Sequence, residues 1–156
     1  MMMPRCSSSP QPGWRHHEHG RILNVTLETF DFAATADKLV SARRFMRRCL
    51  AEVNWSGQEL DVLIAVGEVL QNIVRHGFGG GDPQGRIHME ISIVKGMLVV
   101  LIEDNAPPSL PSGWSSSERP AEDGGLGLTI INRIVAEVEF APTATGNRAR
   151  LRFHPG

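Results

Sequence analysis

Four stretches of this chain carry residue types able to do chemistry. Glu68, Asn72 and His76 recur in steps of four within EVLQNIVRH. On a helix that spacing lays a carboxylate, an amide and an imidazole along one slowly rotating stripe. Taken alone, such residues are more often plain surface than site. Asp104 closes the apolar run MLVVLIE and opens DNAPP. A carboxylate just past a buried strand is held rigidly at a pocket mouth, where it can accept a hydrogen bond from an exocyclic amine; its plainer role is to start a turn. Gly124, Gly125, Leu126, Gly127 and Leu128 stand directly before a helical pattern. Glycines there expose backbone N–H groups and admit a phosphate, and a helix N-terminus adds partial positive charge. A flexible hinge without ligand has the same composition. His16, His17, Glu18 and His19 are metal-ligating types, but adjacent ligands do not close a tetrahedral site alone, and a solvated tail is the preferred reading.

The elements that must position these groups follow from periodicity. Residues 1–20 are rich in Ser, Pro, Gly and His without a period, the composition of a disordered tail; residues 21–156 are expected to form one domain. RILNVTLETF (21–30) reads as a strand with Ile22, Val25, Leu27 and Phe30 inward and a slip in phase at Asn24. A helix capped by Thr35 or Asp37 runs to about Val53, with Leu39, Ala42, Met46, Cys49 and Val53 on one stripe and Arg43, Arg44, Arg47 and Arg48 largely off it. Ser56 and Glu59 form the pattern of a capping box opening a second helix to His76. Leu60, Leu63, Ile64, Gly67, Leu70 and Val74 are its expected core face. A turn-rich break covers 77–85. Ile87, Met89, Ile91 and Ile93 then alternate with polar residues, Lys95-Gly96 makes a tight turn, and Met97–Glu103 returns as an apolar strand. A long loop (104–125), a helix (126–136) and a hairpin of 138–141 with 149–153 complete the chain. Hairpins interleaved with helices predict an α+β fold: a two-layer sandwich whose mixed, mostly antiparallel sheet carries helices on one face.

The whole-chain properties narrow the function classes. With 156 residues, one core is expected. The net charge of −1 shows no general basic excess for nucleic acid or an anionic membrane. Cys6 and Cys49 are far apart and form no CxxC pair, so a reducing cytoplasm is the simplest compartment. No apolar run is long enough to span a bilayer, and the start MMMPRC lacks the apolar stretch of a secretory signal.

Taken together and in this order, the motifs resemble the nucleotide site of the GHKL superfamily of gyrase, heat-shock chaperone, histidine kinase and mismatch-repair ATPases. EVLQNIVRH resembles its N box, EDNAPP its first Gly box and GGLGL its second. The resemblance covers about Leu27 to Phe153 and implies the Bergerat-type ATP-binding fold. Within the superfamily the chain is most similar to the anti-sigma factor serine/threonine kinases of bacterial sporulation and stress control: the domain stands alone, the N box ends in His followed by a small and then an aromatic residue (HGF), the loop between Asp104 and Gly124 is short by the measure of the superfamily, and GGLGLTIINRIVAEVEF is very like that family's last helix and strand. A complete sensor histidine kinase, with a histidine-bearing dimerisation helix before this domain, is therefore not the expected reading.

The resemblance implies ATP and Mg²⁺ as cofactors. Asn72 would coordinate the metal, Glu68 would act as general base on a substrate hydroxyl, Asp104 would recognise the adenine amine beside Ala106, Gly125 and Gly127 would cradle phosphates, and His76 would flank the phosphate end. It further implies a homodimer that sequesters a sigma factor and phosphorylates a STAS-domain anti-anti-sigma protein, with the arginine-bearing helix as a partner surface. Two departures stand out. Ala106 replaces the usual glycine of the first Gly box, adding a methyl near the adenine, and the segment after Pro108 (SLPSGW) lacks the Phe-Asp-Pro often found there. Two other readings compete: a nucleotide-binding regulatory module without phosphotransfer, and the ATP-binding half of a histidine phosphorelay.

Overall fold

Side-chain alternation decides which face of each strand is buried, and here it assembles a single inner face. The computed structural model describes residues 25–109 and 125–156. The elements run β1 (Val25–Ala34), α1 (Ala36–Glu52), α2 (Glu59–Asn72), β2 (Asp82–Val94), β3 (Met97–Asp104), α3 (Gly125–Ile134), β4 (Glu137–Pro142) and β5 (Asn147–Phe153). One π-helical turn, Ile73–Gly77, extends α2. The expected tail with its histidine run, the strand start at 21–24, and the loop 110–124 with Gly124 lie outside the described residues.

The strands form one sheet in the order β1-β2-β3-β5-β4. Each of its four pairings is antiparallel, so the expected two-layer α+β sandwich is present with no parallel pair among the described strands. Ile87, Met89 and Ile91 of β2, Leu98, Val100 and Ile102 of β3, and Ala149, Leu151 and Phe153 of β5 are all buried and share the core with residues of α1, α2 and α3. The opposite face carries cross-strand ion pairs, Arg148–Glu103 at 2.9 Å, Arg150–Glu139 at 3.6 Å and Arg152–Glu137 at 3.2 Å. Such exposed pairs contribute about 0–1 kcal/mol each; their main effect is to keep that face polar.

Four local findings add to or correct the expectations. First, β1 carries a bulge at Leu27, where the register with β2 jumps between Thr26 and Glu28; the slip expected at Asn24 lies outside the described residues. This bulge resets the phase, so Phe30, Phe32 and Ala34 point to the core. Phe30 stacks on Phe32 and on Phe45 of α1, with ring centroids 5.2 and 4.9 Å apart, which ties α1 to the edge strand. Second, β2 begins at Asp82, within the expected break. Gly85 permits this: a Cβ there would lie 2.5 Å from the Phe78 ring.

Third, the Ser56 capping box does not form. α2 starts at Glu59 behind Gln58, which makes no side-chain cap bond. Asn54 takes a positive φ of 51°, and Trp55 lies so close over Gly57 that a Cβ there would be 2.6 Å from the indole. Residues 54–57 are therefore committed to a turn. Fourth, the core face of α2 is Val62, Leu63, Ala65, Val66, Val69 and Leu70. Leu60 and Ile64, expected inside, are 62% and 39% exposed. α2 packs against α1, α3 and β5 and is apolar nearly all round, so periodicity alone cannot choose its buried side. Of the stripe expected on α1, Ala42, Met46 and Cys49 are buried and Leu39 and Val53 are partly buried against the core, and Phe45 and Leu50 join them.

Candidate functional site

The parity that buries Leu98, Val100 and Ile102 also turns Asp104, the last residue of β3, to the helix side of the sheet. Asp104 is only 9% exposed. Its cross-strand neighbours are Ile87 on β2 and Asn147 on β5. Its Oδ1 accepts two hydrogen bonds, from the Ala106 N–H at 2.9 Å and from Asn147 Nδ2 at 3.1 Å. Burial holds the carboxyl above its ordinary value of 3.8, and the Asn147 and Ala106 donors only partly oppose that rise. Removing a carboxylate from water this far is costly unless donors offset it, and carboxyl groups held above their ordinary pKa cluster at functional sites.

The loop after Asp104 is held on both sides. Asn105 Oδ1 accepts the Arg86 N–H at 2.8 Å. Asn147 Nδ2 also donates to the Pro107 carbonyl at 3.2 Å, and Asn147 Oδ1 accepts the Ser109 N–H at 2.9 Å. Gly146 makes this approach possible, since a side chain there would collide with the Asp104 carbonyl and the Asn105 backbone. Beside these groups lies a small cavity whose lining includes Ile73, Asp104, Phe140 and Asn147.

Asn72 ends α2 and is 7% exposed. Its side-chain amide makes no hydrogen bond to another described residue, which suits an acceptor for a hard cation. The π turn that follows brings Ile73 to the cavity of Asp104 and Gly77 against Ala106, where a Cβ on Gly77 would lie 3.2 Å from the Ala106 methyl. His76 is exposed within that turn. Ala106 itself is 2% exposed and is not among the residues with positive φ. Its extra methyl is thus stored beneath Gly77 on an ordinary backbone, and the departure from glycine costs the backbone nothing.

Gly125, Leu126, Gly127 and Leu128 form the first turn of α3, and α3 packs against α2. The helix carrying Glu68 and Asn72 therefore adjoins α3, and its π-helical extension reaches the end of β3 through Ile73 and Gly77. Glu68 is half-buried and faces a different opening. It lines an open groove between α1 and α2 together with Arg43, Arg47, Leu60, Ile64 and Gln71. Asn72 and Asp104 thus lie toward one end of α2, and Glu68 borders its α1 side.

The sequence reading missed Asn147, Gly146, Gly77 and Ile73. Gly146-Asn147 reads locally as a hairpin turn, and only the β3–β5 register reveals its partner. The glycine after the N-box histidine was noticed as a motif, but its use against Ala106 depends on the π turn. Among the described residues no group of three or more His, Cys, Asp or Glu side chains gathers as a metal cluster. No described helix is long and apolar enough to cross a membrane.

Comparison with known proteins follows the same lines. The family profile described as histidine kinase-like ATPase domain matches residues 32–153. The structure of the RsbU and RsbW domains of Rv1364c from Mycobacterium tuberculosis is similar, with a TM-score of 0.61 and 19% identity over 86% of this chain and 32% of that one. The histidine kinase domain of the Erythrobacter litoralis EL346 blue-light activated histidine kinase aligns with a TM-score of 0.50 and 18% identity, covering 71% of this chain and 59% of that one. This chain therefore spans about a third of the first protein and under two thirds of the second, and at these identities the likeness is one of fold. No curated protein matches the chain.

Proposed function

This chain belongs to the histidine kinase-like ATPase family, and on that premise we propose that it is an ATP-dependent anti-sigma factor which sequesters a sigma factor and phosphorylates a STAS-type antagonist on serine or threonine. The observation that carries the nucleotide reading is the buried, pre-oriented Asp104 carboxylate beside the C-terminal end of the helix that bears Glu68 and Asn72. The finer assignment, to anti-sigma kinases, is supported by the HGF and GGLGLTIINRIVAEVEF segments of the sequence.

The residues suit Mg²⁺-ATP. Both described hydrogen bonds to Asp104 fall on Oδ1, which leaves Oδ2 to accept from the adenine amine. The buried Asn72 amide offers its oxygen to the metal, and the Gly125–Leu128 turn offers unpaired N–H groups to phosphate. Bound there, Mg²⁺-ATP supplies a γ-phosphoryl group whose charge is partly neutralised. Glu68 then takes the proton of an incoming hydroxyl, and transfer depends mostly on positioning and electrostatics.

Glu68 lines the same groove as Arg43 and Arg47. A protein seated on α1 through acidic side chains brings a serine or threonine toward that carboxylate. Once phosphorylated, the antagonist carries about −1.5 to −2 additional charge and no longer fits the interface. The protein acts as a homodimer, without direct contact to nucleic acid or membrane, in the cytoplasm.

The test is γ-labelled ATP with candidate STAS-domain proteins. Acid-stable label on the partner is expected. Acid-labile label would assign the chain to a histidine phosphorelay, and absence of label with intact ATP binding would make it a nucleotide-dependent binding module.

A further inference from the structure

We propose that Asn147 is a positioning residue that sets nucleobase selectivity by fixing which oxygen of Asp104 faces the ligand; this rests on the ATP reading above. Terminal carboxylate rotation is soft and roughly twofold, so an unrestrained Asp104 would present either oxygen over a broad range of angles. Two donors converging on Oδ1, the Ala106 N–H at 2.9 Å and Asn147 Nδ2 at 3.1 Å, remove that freedom.

The two donors are not equivalent. The Ala106 bond is local, spanning two residues of one turn, and moves with that turn. The Asn147 bond crosses from β5, a strand anchored in the core by Ala149, Leu151 and Phe153. It refers the carboxylate to the rigid sheet. An amide suits the position because it donates and accepts at once. Nδ2 serves Asp104 and the Pro107 carbonyl, while Oδ1 takes the Ser109 N–H. One side chain therefore fixes both the carboxylate and the 105–109 segment beside it. Neither an aspartate nor an alanine reproduces the set: aspartate loses both donations and places a second negative charge by Asp104, and alanine loses all three bonds.

The consequence concerns the six-position of the purine. A fixed acceptor oxygen favours an amino group there, gains nothing from hydrogen, and repels a keto oxygen. Asn147 would act on the amine through Asp104, so its removal should lower affinity for amine-bearing nucleotide alone.

The experiment compares Mg²⁺-ATP with Mg²⁺-purine riboside triphosphate, which lacks the six-amino group, by calorimetry on the full chain. Wild type is expected to prefer ATP by at least about tenfold, the scale of a charge-assisted hydrogen bond. In Asn147→Ala the preference should collapse to within about threefold through loss of ATP affinity, with purine riboside triphosphate bound as before. Asn147→Asp, nearly isosteric, should do the same and serves if the alanine variant does not fold. Equal loss for both nucleotides would show a merely structural role and overturn the inference, as would an unchanged preference in either folded variant. Wild type that binds both nucleotides equally would remove the premise that Asp104 reads the amine. Wild type that binds neither would overturn the ATP reading itself, and this inference with it.

Discussion

Two sides of α2 differ sharply in how far the protein has committed them. Around Asp104 the polar groups are buried and tied: Asn105 to Arg86, Asn147 to three partners, Ala106 beneath Gly77. Along α1 the groove is open, with Leu60 and Ile64 exposed beside Arg43 and Arg47. A long ion pair, Arg47–Glu59 at 3.9 Å, crosses near it. A rigid site suits a ligand of fixed shape, since pre-organisation lowers the cost of binding. An open apolar and basic groove suits a macromolecular partner that supplies its own complement. Glu68 stands on the groove side, where a hydroxyl donor would arrive.

The sharpest way to separate the two sides is Glu68→Ala. We expect ATP affinity within about threefold of wild type and phosphotransfer reduced about 10²- to 10⁴-fold, the range for loss of a general base; calorimetry and label transfer measure the two independently. Normal transfer by this variant would remove the general-base role.

Asp104→Asn is next. Its affinity for Mg²⁺-ATP should fall about ten- to a hundredfold, as for a lost hydrogen bond to a charged group. Stability should move the other way. Because burial raises the Asp104 pKa, the folded chain keeps that proton to higher pH than the unfolded chain does. Its contribution is fully present below the ordinary value of 3.8 and is lost as pH rises through the raised folded value. At neutral pH the aspartate is therefore a liability, and the amide still accepts from Ala106 and Asn147. A melting temperature equal to or above wild type at pH 7, with the advantage shrinking toward pH 4, is expected. A clear loss of stability at pH 7 would show that the carboxylate is structural.

Smaller still is the coupling between Gly77 and Ala106. Gly77→Ala should cost about 1 kcal/mol more in wild type than in an Ala106→Gly background, because the two methyl groups compete for one space. Chemical denaturation of the four proteins measures it, and a coupling near zero would mean the π turn adjusts freely. Least of all should Leu60→Ser with Ile64→Ser affect folding, by about 0.5 kcal/mol or less. The same pair should weaken capture of the protein partner. A large loss of stability would close the groove as a docking surface and erase the contrast between the two sides.

The β2–β3 hairpin was legible because alternation and turn chemistry agree: Ile87, Met89 and Ile91 are buried, and Lys95 and Gly96 adopt φ of 52° and 81°. The placement of Asp104 was legible, since it inherits its inward direction from the alternation of β3. The face of α2 was not legible, because Leu60 and Ile64 are as apolar as Val62 and Val66 and only the surrounding elements choose between them. Asn147 gave no local signal. Its meaning comes from a register that pairs it with a residue 43 positions away. Ala106 stood out in the sequence only as a departure from glycine, and its packing against Gly77 depends on the π turn.

The most direct measurement is calorimetric titration of the purified full chain with Mg²⁺-ATP and Mg²⁺-ADP. The account predicts saturable uptake, one nucleotide per chain, weakened by Asp104→Asn and by Asn72→Ala but not by Glu68→Ala. Binding of neither nucleotide in the presence of magnesium would contradict it at its root.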